Sequence, residues 1–456
     1  MKLPPDHWQA MARAADPLAD RTIAAIVGPW PADAASPGEA ALARLAQASR
    51  LMAGWTTNAS LTAWSPAAGA DPVVVDALRA YLEQGRRLPE WIRPRDVELA
   101  EQVFMDYGPL SCTLLFCASL PECYVMPQLA DVLHAAGQLE AHTEHRIRQT
   151  AAMIFPVMMK GGLTQGEGGG IAQVLKVRLI HATIRHLILH GPPETAGARV
   201  ASAPAGTRPA SMLQALLALG WDVERDGLPC NQLELAYTLL TFSYVFLAGM
   251  RTLRIPLSRA EQEAYLHAWN VVGFVLGIRP ELMPRDLDQA ASMFRAMQSQ
   301  AHSQPLARDV RPGLGRALVA AMERTIAVPV IRHLPVPMTR WLIGRQTARL
   351  IGITQRAGLL TLLLFDAARL AVLAIDGVAR LALPRFSLTR LVTRVVGYHL
   401  LTRFLLDQTR PLALPDSLLE PMHRTVAQWH HDHHAPGWVN RLEKRITTKG
   451  EWRPLS

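Results

Sequence analysis

The sequence is poor in cysteine, and its strongly apolar stretch without a charged residue is too short to cross a membrane. Only four of its 456 residues are cysteine, and none of them forms a CxxC pair. This excludes a disulfide-rich secreted scaffold and a zinc ribbon, and it predicts reduced thiols. The most apolar stretch, residues 235–250, has 16 residues and falls short of the roughly 20 that span a bilayer. We therefore expect a buried core helix there.

Strand patterns are also scarce. Apolar residues recur three and four positions apart almost throughout, and proline and glycine divide the chain into helices of ordinary length. The sequence therefore predicts an all-α protein. Residues 191–211 and 305–315 are rich in glycine, proline and small residues and are predicted to be loops, with the main helical domain ending before the second.

The positive charge is a property of the C-terminal third. The net charge is +9, and residues 301–456 hold 22 Lys and Arg against 10 Asp and Glu. These cations are mostly arginines scattered among Leu, Ile and Val, so we expect no nucleic-acid partner and favour peripheral contact with a membrane surface. A helical hairpin packed on the main domain explains residues 314–409 equally well. Because prolines and charges occupy the place of a signal peptide's apolar run, we expect a cytoplasmic protein, peripheral at the inner face of the membrane if it binds lipid.

A helix predicted over residues 171–190 places His181 on an apolar face. Arg178 and Arg185 lie about one turn before and after it. Such an imidazole suits an axial ligand of haem iron, because a porphyrin needs apolar walls and its propionates need cations. Taken alone, the helix favours a core histidine bonded to a backbone carbonyl, because that arrangement is the commoner one.

A second predicted helix, residues 142–159, carries Arg146 and Thr150 one turn apart, followed by a wholly apolar end. A cation and a hydroxyl beside an apolar wall can orient dioxygen or a substrate, because both hydrogen-bond a developing oxyanion. Taken alone, however, the helix favours a surface ion pair of Arg146 with Glu140 or Glu144.

Three other patterns have simpler explanations. His186 and His190 share a helix face and can chelate a metal, but His190 precedes a glycine and is expected to cap the helix C-terminus. The glycine-rich residues 161–170 lack the GK[ST] ending of a phosphate loop and predict a flexible turn between two helices. The HHDHH cluster from His430 to His434 predicts a solvated turn.

Several segments together resemble one family, the oxygenases that include bacterial latex-clearing proteins, which are rubber oxygenases, and fungal MpaB. The matching segments are residues 146–155, 176–189, 228–258 and 263–278, and the similarity spans roughly residues 91–288. The most specific feature is an RxxxT helix whose Thr150 is followed 31 positions later by His181 in VRLIHA.

The resemblance implies a globin-like, all-helical domain around a b-type haem, with His181 as the iron ligand. Arg146 and Thr150 would lie near the distal haem face, and Arg178 or Arg185 near the propionates. Together with the predicted loop at 305–315, the extent of the resemblance divides the chain into three expected regions. These are an N-terminal helical region at 1–90 that packs on the core, a haem-binding oxygenase core at 91–304, and a basic apolar helical region at 305–456.

The chain departs from the family pattern at two points. Gln149 stands where rubber oxygenases have a lysine, and Glu122 and Asp131 are the candidates for the family's distal carboxylate. We expect a haem b-dependent oxygenase that uses O2 on an unsaturated apolar substrate, isoprenoid or lipid-like, and cleaves a C=C bond. The alternatives are a cofactor-free helical protein that binds lipid or membrane, and a non-haem metal enzyme using His186 and His190.

Overall fold

The computed structural model describes most of the chain up to residue 355. Within 5–355 the exceptions are 32–33, 35, 67, 138–142, 203–208, 210, 305, 307 and 327–331; beyond 355 it describes only 365–367, 370, 437–438 and 441. The side chains at 5–7, 143–149 and 325 are also outside the description. The predicted turn at His430–His434 therefore lies outside the described residues. So does most of the segment 314–409, for which the sequence allows either membrane contact or packing on the main domain.

The described residues are almost entirely helical, which confirms the predicted all-α class. In chain order the α-helices are α1 Pro5–Ala12, α2 Pro17–Val27, α3 Glu39–Ala53, α4 Asn58–Thr62, α5 Pro72–Gly85, α6 Pro94–Asp106, α7 Gly108–Leu114, α8 Leu120–Cys123, α9 Pro127–Ala136, α10 Thr143–Met158, α11 Gly170–Leu189, α12 Met212–Leu217, α13 Val223–Asp226, α14 Gln232–Phe242, α15 Tyr244–Thr252, α16 Arg259–Val275, α17 Leu287–Ser303, α18 Arg311–Thr325, α19 Pro335–Ile343 and α20 Arg345–Leu350. A π-helical turn, Leu115–Ser119, joins α7 to α8, and short 3-10 turns lie at Pro193–Thr195 and Pro280–Leu282.

One small antiparallel ribbon interrupts the helices. Strand β1, Arg199–Val200, pairs with β2, Trp221–Asp222, so that Arg199 lies opposite Asp222. Strand β1 lies within residues 191–211, which the sequence predicts as a loop, and β2 lies beyond that loop, after α12.

Local sequence explains where many helices begin and end. Asp16 caps α2 by accepting from the backbone N–H groups of Leu18 and Ala19, and Pro17 follows at the first helical position. Ser258 and Glu261 form a reciprocal capping box at the start of α16. These caps are short-range signals, and they place the helices without fixing how they pack.

Helix α11 lies against α10 on one side and against α2 on another, while α6 packs along α16. The described start of the C-terminal region joins the same core, since Leu318, Met322 and Ile351 are fully buried in it. The helices α18, α19 and α20 thus pack against the main domain.

One stretch of the described residues, Gln232–Thr252, is long and apolar enough to span a membrane by length and composition. It is broken into α14 and α15 at Ser243, and 83% of its apolar window is buried inside the protein. A second candidate, Pro94–Asp106 with Gly108–Cys123, passes the same test only as a pair bent by 89°. The burial of Gln232–Thr252 matches the core helix predicted there.

Candidate functional site

His181 lies in the second half of α11, and within the described part of the chain one of its ring nitrogens lacks the hydrogen bond that a buried imidazole usually makes. Its Nδ1 is buried and makes no hydrogen bond with the described residues. The backbone hydrogen bond of an ordinary core histidine is therefore missing at this atom. Burial, with a smaller effect of the nearby Arg185, lowers the pKa of His181 to about 4 against the opposing effect of Asp16. The imidazole is neutral at physiological pH, which is the protonation state that binds a metal.

The side of α11 next to His181 keeps accessible apolar surface. Val177, His181 and Ile184 are partly exposed, and Ile180 is 47% exposed although α11 packs among other helices. At 3.6 residues per turn these positions share one side of the helix. An accessible aliphatic stripe beside a neutral imidazole is the kind of wall that a flat apolar cofactor requires.

His186, on a different side of α11, offers no such surface. Both of its ring nitrogens are buried without a hydrogen-bond partner among the described residues, and burial lowers its pKa to about 4. Its ring packs against Trp30, with ring centroids 5.8 Å apart. His186 thus resembles His181 in protonation state, but it is closed off by an indole.

His190 ends α11 in a left-handed conformation, with φ of 55°. Its ring stacks on Trp30 at 5.3 Å, and its Nε2 lies 3.0 Å from the carbonyl oxygen of Leu217. No cluster of three or more potential metal ligands occurs in the part of the chain that the structure describes. The helix-ending role predicted for His190 is confirmed.

Arg178, predicted to lie near haem propionates, is held by a carboxylate from the N-terminal segment. Its Nε and Nη2 donate to Asp16 at 2.5 and 2.7 Å, and its Nη1 donates to the carbonyl of Val275 at 2.9 Å. Gly277, with φ of +86°, leaves room for the guanidinium, because a Cβ there would lie 2.7–2.8 Å from its atoms. The absence of a side chain at Gly277 therefore makes room for the guanidinium of Arg178.

Arg185 is fully buried and is held in a similar way. It forms a salt bridge with Asp20, and it donates to the carbonyls of Pro229 at 2.9 Å and Cys230 at 2.6 Å. Burial raises the pKa of Asp20 to about 6 against the lowering effect of Arg185, so this carboxyl group is mostly ionised at pH 7. A role of Arg178 and Arg185 at propionates stays a prediction, and the structure shows protein partners for both.

The predicted distal residues lie on α10, which packs directly on α11. Thr150 is partly exposed, and the residues after it, Ala151 and Ile154, are buried. Arg146 belongs to the same helix one turn earlier, but its side chain lies outside the described residues, as does that of Gln149. The structure thus brings together the two helices on which the resemblance depends.

The two candidate carboxylates differ in their surroundings. Glu122 on α8 is buried, and its Oε2 accepts hydrogen bonds from Tyr237 at 3.2 Å and Gln298 at 2.9 Å. Burial raises the pKa of Glu122 to about 7 against those two hydrogen bonds. Asp131 on α9 is partly exposed, and burial together with Asp226 raises its pKa to about 6.

The glycine-rich loop between α10 and α11 is a turn, as predicted, but a closely packed one. The amide of Asn58 donates to the carbonyls of Gly162 and Gln165, both at 2.8 Å, and its Oδ1 accepts from the N–H of Ile171 at the start of α11. The N–H of Gly161 donates to the buried Glu101 at 2.8 Å. These bonds anchor the N-terminal end of the helix that carries His181.

Sequence reasoning missed Asp16, Asp20, Asn58 and Glu234. Asp16 and Asp20 carry the local signature of a helix start, which gives no hint of their arginine partners. Glu234 lies in the first turn of α14, where an acidic residue is ordinary, yet it is only 2% exposed. Their roles depend on contacts between segments far apart in the sequence.

Comparison with known proteins assigns the chain to a family. The model of the family described as "ER-bound oxygenase mpaB/B'/Rubber oxygenase, catalytic domain" matches residues 111–375, more than half of the chain. The rubber oxygenase of Streptomyces sp. (strain K30) is 23% identical over 284 residues, which is 61% of this chain and 61% of the relative. The chain therefore matches about three fifths of that relative's length.

The fold is also similar to that of a solved structure described as latex clearing protein LCP in the closed state. The TM-score is 0.57 at 18% sequence identity, and the likeness covers 92% of this chain and 91% of the other. At this identity the similarity shows a shared helical fold.

Proposed function

The chain belongs to the family of MpaB-type and rubber oxygenases, and on this basis we propose that it is a haem b-dependent oxygenase acting with O2 on an unsaturated apolar substrate. The observation that carries the proposal is His181, a neutral imidazole whose buried Nδ1 has no partner among the described residues. This imidazole lies beside accessible aliphatic side chains on α11, the helix on which the family resemblance places the iron ligand.

The residues present fit a haem. His181 would hold the iron, while Val177, Ile180 and Ile184 would contact the porphyrin and keep water from it. Bound there, haem iron would supply the activation of dioxygen. A cluster of several metal-ligating side chains is not needed, because a haem takes a single histidine from this helix.

Thr150 on the neighbouring helix would donate its hydroxyl proton in a hydrogen bond to an oxygen of the reacting molecule, and Arg146 would add a cation beside it. These two groups act on partial negative charge that develops on oxygen. Helix α10 packs on α11, which supports this assignment.

We propose cleavage of a C=C bond as the reaction. When one O2 is consumed and each carbon of the double bond receives one oxygen atom, the products are two carbonyl compounds and no further reductant is needed. The Streptomyces relative is named for its action on rubber; for this chain we propose a smaller isoprenoid or lipid-like olefin.

The first experiment measures haem content. The protein is expressed with a haem precursor and purified, spectra are recorded before and after dithionite, and haem per chain is determined as the pyridine haemochrome. We expect near-stoichiometric b-type haem in the wild type and loss of most of it in His181→Ala, because the iron loses its protein ligand.

His267→Ala is the matched control. His267 is also buried in a helix, but its Nε2 accepts a hydrogen bond from the backbone N–H of Arg93 at 3.0 Å. This variant should keep its haem. A wild-type protein that stays colourless after reconstitution would contradict the proposal and favour the cofactor-free lipid-binding alternative.

A further inference from the structure

Two buried ion pairs bracket His181. In Arg178–Asp16 the side chains are 10% and 4% exposed, and in Arg185–Asp20 they are 0% and 1% exposed. In every other salt bridge of the described residues at least one partner is about a quarter exposed or more. The most deeply buried charge pairs of the described structure therefore lie about one helical turn from the proposed iron ligand.

Both ion pairs flank the turn of α11 that carries His181. Arg178 lies three residues before His181 and Arg185 four residues after it, which is about 60° and about 40° away around the helix. Their acceptors are four residues apart at the start of α2, and the backbone N–H of Asp16 donates to Asp20 at 3.0 Å. One short segment thus holds both arginines at once.

Stability alone does not explain this arrangement. Taking two charges out of water costs about as much as their attraction returns, and apolar residues of similar volume are often as stabilising. Buried ion pairs do, however, fix geometry, since a bidentate arginine–carboxylate contact tolerates little rotation. They also set the electric field nearby, because screening is weak in the interior.

We propose that Asp16 and Asp20 are positioning residues of the haem site: through Arg178 and Arg185 they fix the turn of α11 that carries His181 and set the charge around it. The inference rests on the proposed function. Both aspartates precede residue 111, where the family match begins. The N-terminal segment therefore completes a site whose ligand lies in the matched domain.

The test compares Asp16→Asn and Asp20→Asn with the wild type as full-length, haem-loaded proteins. The readout is the midpoint potential from a spectroelectrochemical titration, together with haem per chain. Removing a negative charge favours the ferrous state, so at a fixed solution potential we expect about a tenfold higher ferrous-to-ferric ratio, which is about 59 mV for a one-electron couple. Asp16→Glu, which keeps the charge, should return the potential towards the wild-type value.

Asp309→Asn is the matched control, because Asp309 pairs with the buried Arg311 at 2.8 Å on another helix. It should lower thermal stability without moving the potential. If Asp20→Asn fails to fold, Asp16→Asn still tests the proposal, since the side chain of its partner Arg178 is 10% exposed whereas that of Arg185 is 0% exposed.

Aspartate variants that hold full haem at the wild-type potential would overturn the inference and leave the pairs a purely structural role. A wild-type protein without haem would instead refute the proposed function, and this result would be visible before any aspartate variant is compared.

Discussion

Glu234 is a buried carboxyl group whose environment opposes its ionisation. Neither carboxylate oxygen accepts a hydrogen bond of normal geometry from the described residues. Burial raises its pKa to about 8, and the nearby backbone N–H groups of Cys230 and Asn231, with Arg185, counter this only in part. At neutral pH the group is therefore mostly protonated in the folded protein and ionised in the unfolded chain.

This difference predicts a pH-dependent stability. An acid with a raised pKa in the folded state contributes stability that is fully present below its unfolded pKa of 4.5 and is lost as pH rises through about 8. Within that window the loss is about 1.4 kcal/mol per pH unit. Glu234→Gln cannot ionise and should escape this loss. We therefore expect the free energy of unfolding of the variant minus that of the wild type to be larger at pH 8.5 than at pH 5.5.

Urea unfolding of both proteins at the two pH values measures the effect. Glu263→Gln, which changes an exposed glutamate in a surface ion pair with Arg259, is the control and should leave the pH dependence of the wild type unchanged. Parallel pH profiles for the wild type and Glu234→Gln would show that Glu234 ionises normally in the folded protein.

The sequence locates the candidate ligand but not the groups that hold it. Helical spacing and the family resemblance identify His181, and both are local in sequence. The partners of Arg178 and Arg185 lie 162 and 165 residues earlier in the chain, and no spacing rule connects positions so distant. The same limit applies to Glu234, because burial of an acidic residue in a first helical turn depends on tertiary packing.

At the scale of elements, α11 owes its position to both of its ends. Asn58 on α4 anchors the loop before it, and Trp30 packs against His186 and His190 at its C-terminal end. Helical periodicity predicts the helix, and glycine content predicts a turn before it. The close backbone packing of that turn is not predictable, because glycine content alone fits a loose turn equally well.

Gly168 offers a test of this packing. A Cβ added there would lie 2.1 Å from the carbonyl oxygen of Gly161, so the backbone has to move. We expect Gly168→Ala to lower the free energy of unfolding by about 1–3 kcal/mol, as overpacking does elsewhere, and to weaken haem retention because the start of α11 shifts.

Gly166→Ala is the matched control in the same loop, where the added Cβ would contact Ala59 at 3.4 Å. Its unfolding free energy should stay within about 0.5 kcal/mol of the wild type. Chemical denaturation and the haemochrome assay on both variants give the comparison. If Gly168→Ala and Gly166→Ala were equally stable, the loop backbone would have to adjust at little cost, and the loop would not position α11.

At the scale of the whole molecule, the described start of the C-terminal region belongs to the main core. The helices at 311–325, 335–343 and 345–350 pack into it, whereas the sequence alone allows either packing or membrane contact for this arginine-dotted segment. Helical periodicity predicts the class of fold, but it cannot distinguish an apolar face that meets a core from one that meets lipid. Contact with a membrane surface is accordingly a proposal for the residues beyond 355.

This proposal predicts salt-sensitive binding to acidic lipid. The sequence beyond residue 355 keeps an excess of arginine among aliphatic residues, and Arg345 and Arg349 next to it are exposed and have no ion-pair partner among the described residues. Cations near an anionic surface each contribute about 1 kcal/mol, and the attraction falls off within a Debye length of about 10 Å at 0.1 M salt. We expect the protein to sediment with phosphatidylserine-containing liposomes at low salt and to be released at high salt.

Liposomes of phosphatidylcholine alone are the control for charge, and the haem-free His181→Ala protein is the control for the site. Both haem-loaded and haem-free forms should bind acidic liposomes alike, because the cations concerned lie outside α11. Protein that stays in the supernatant at low salt would refute membrane contact and leave the oxygenase proposal unaffected, since the two rest on different parts of the chain. Binding that required haem would instead place the lipid at the site itself, as substrate rather than as a surface.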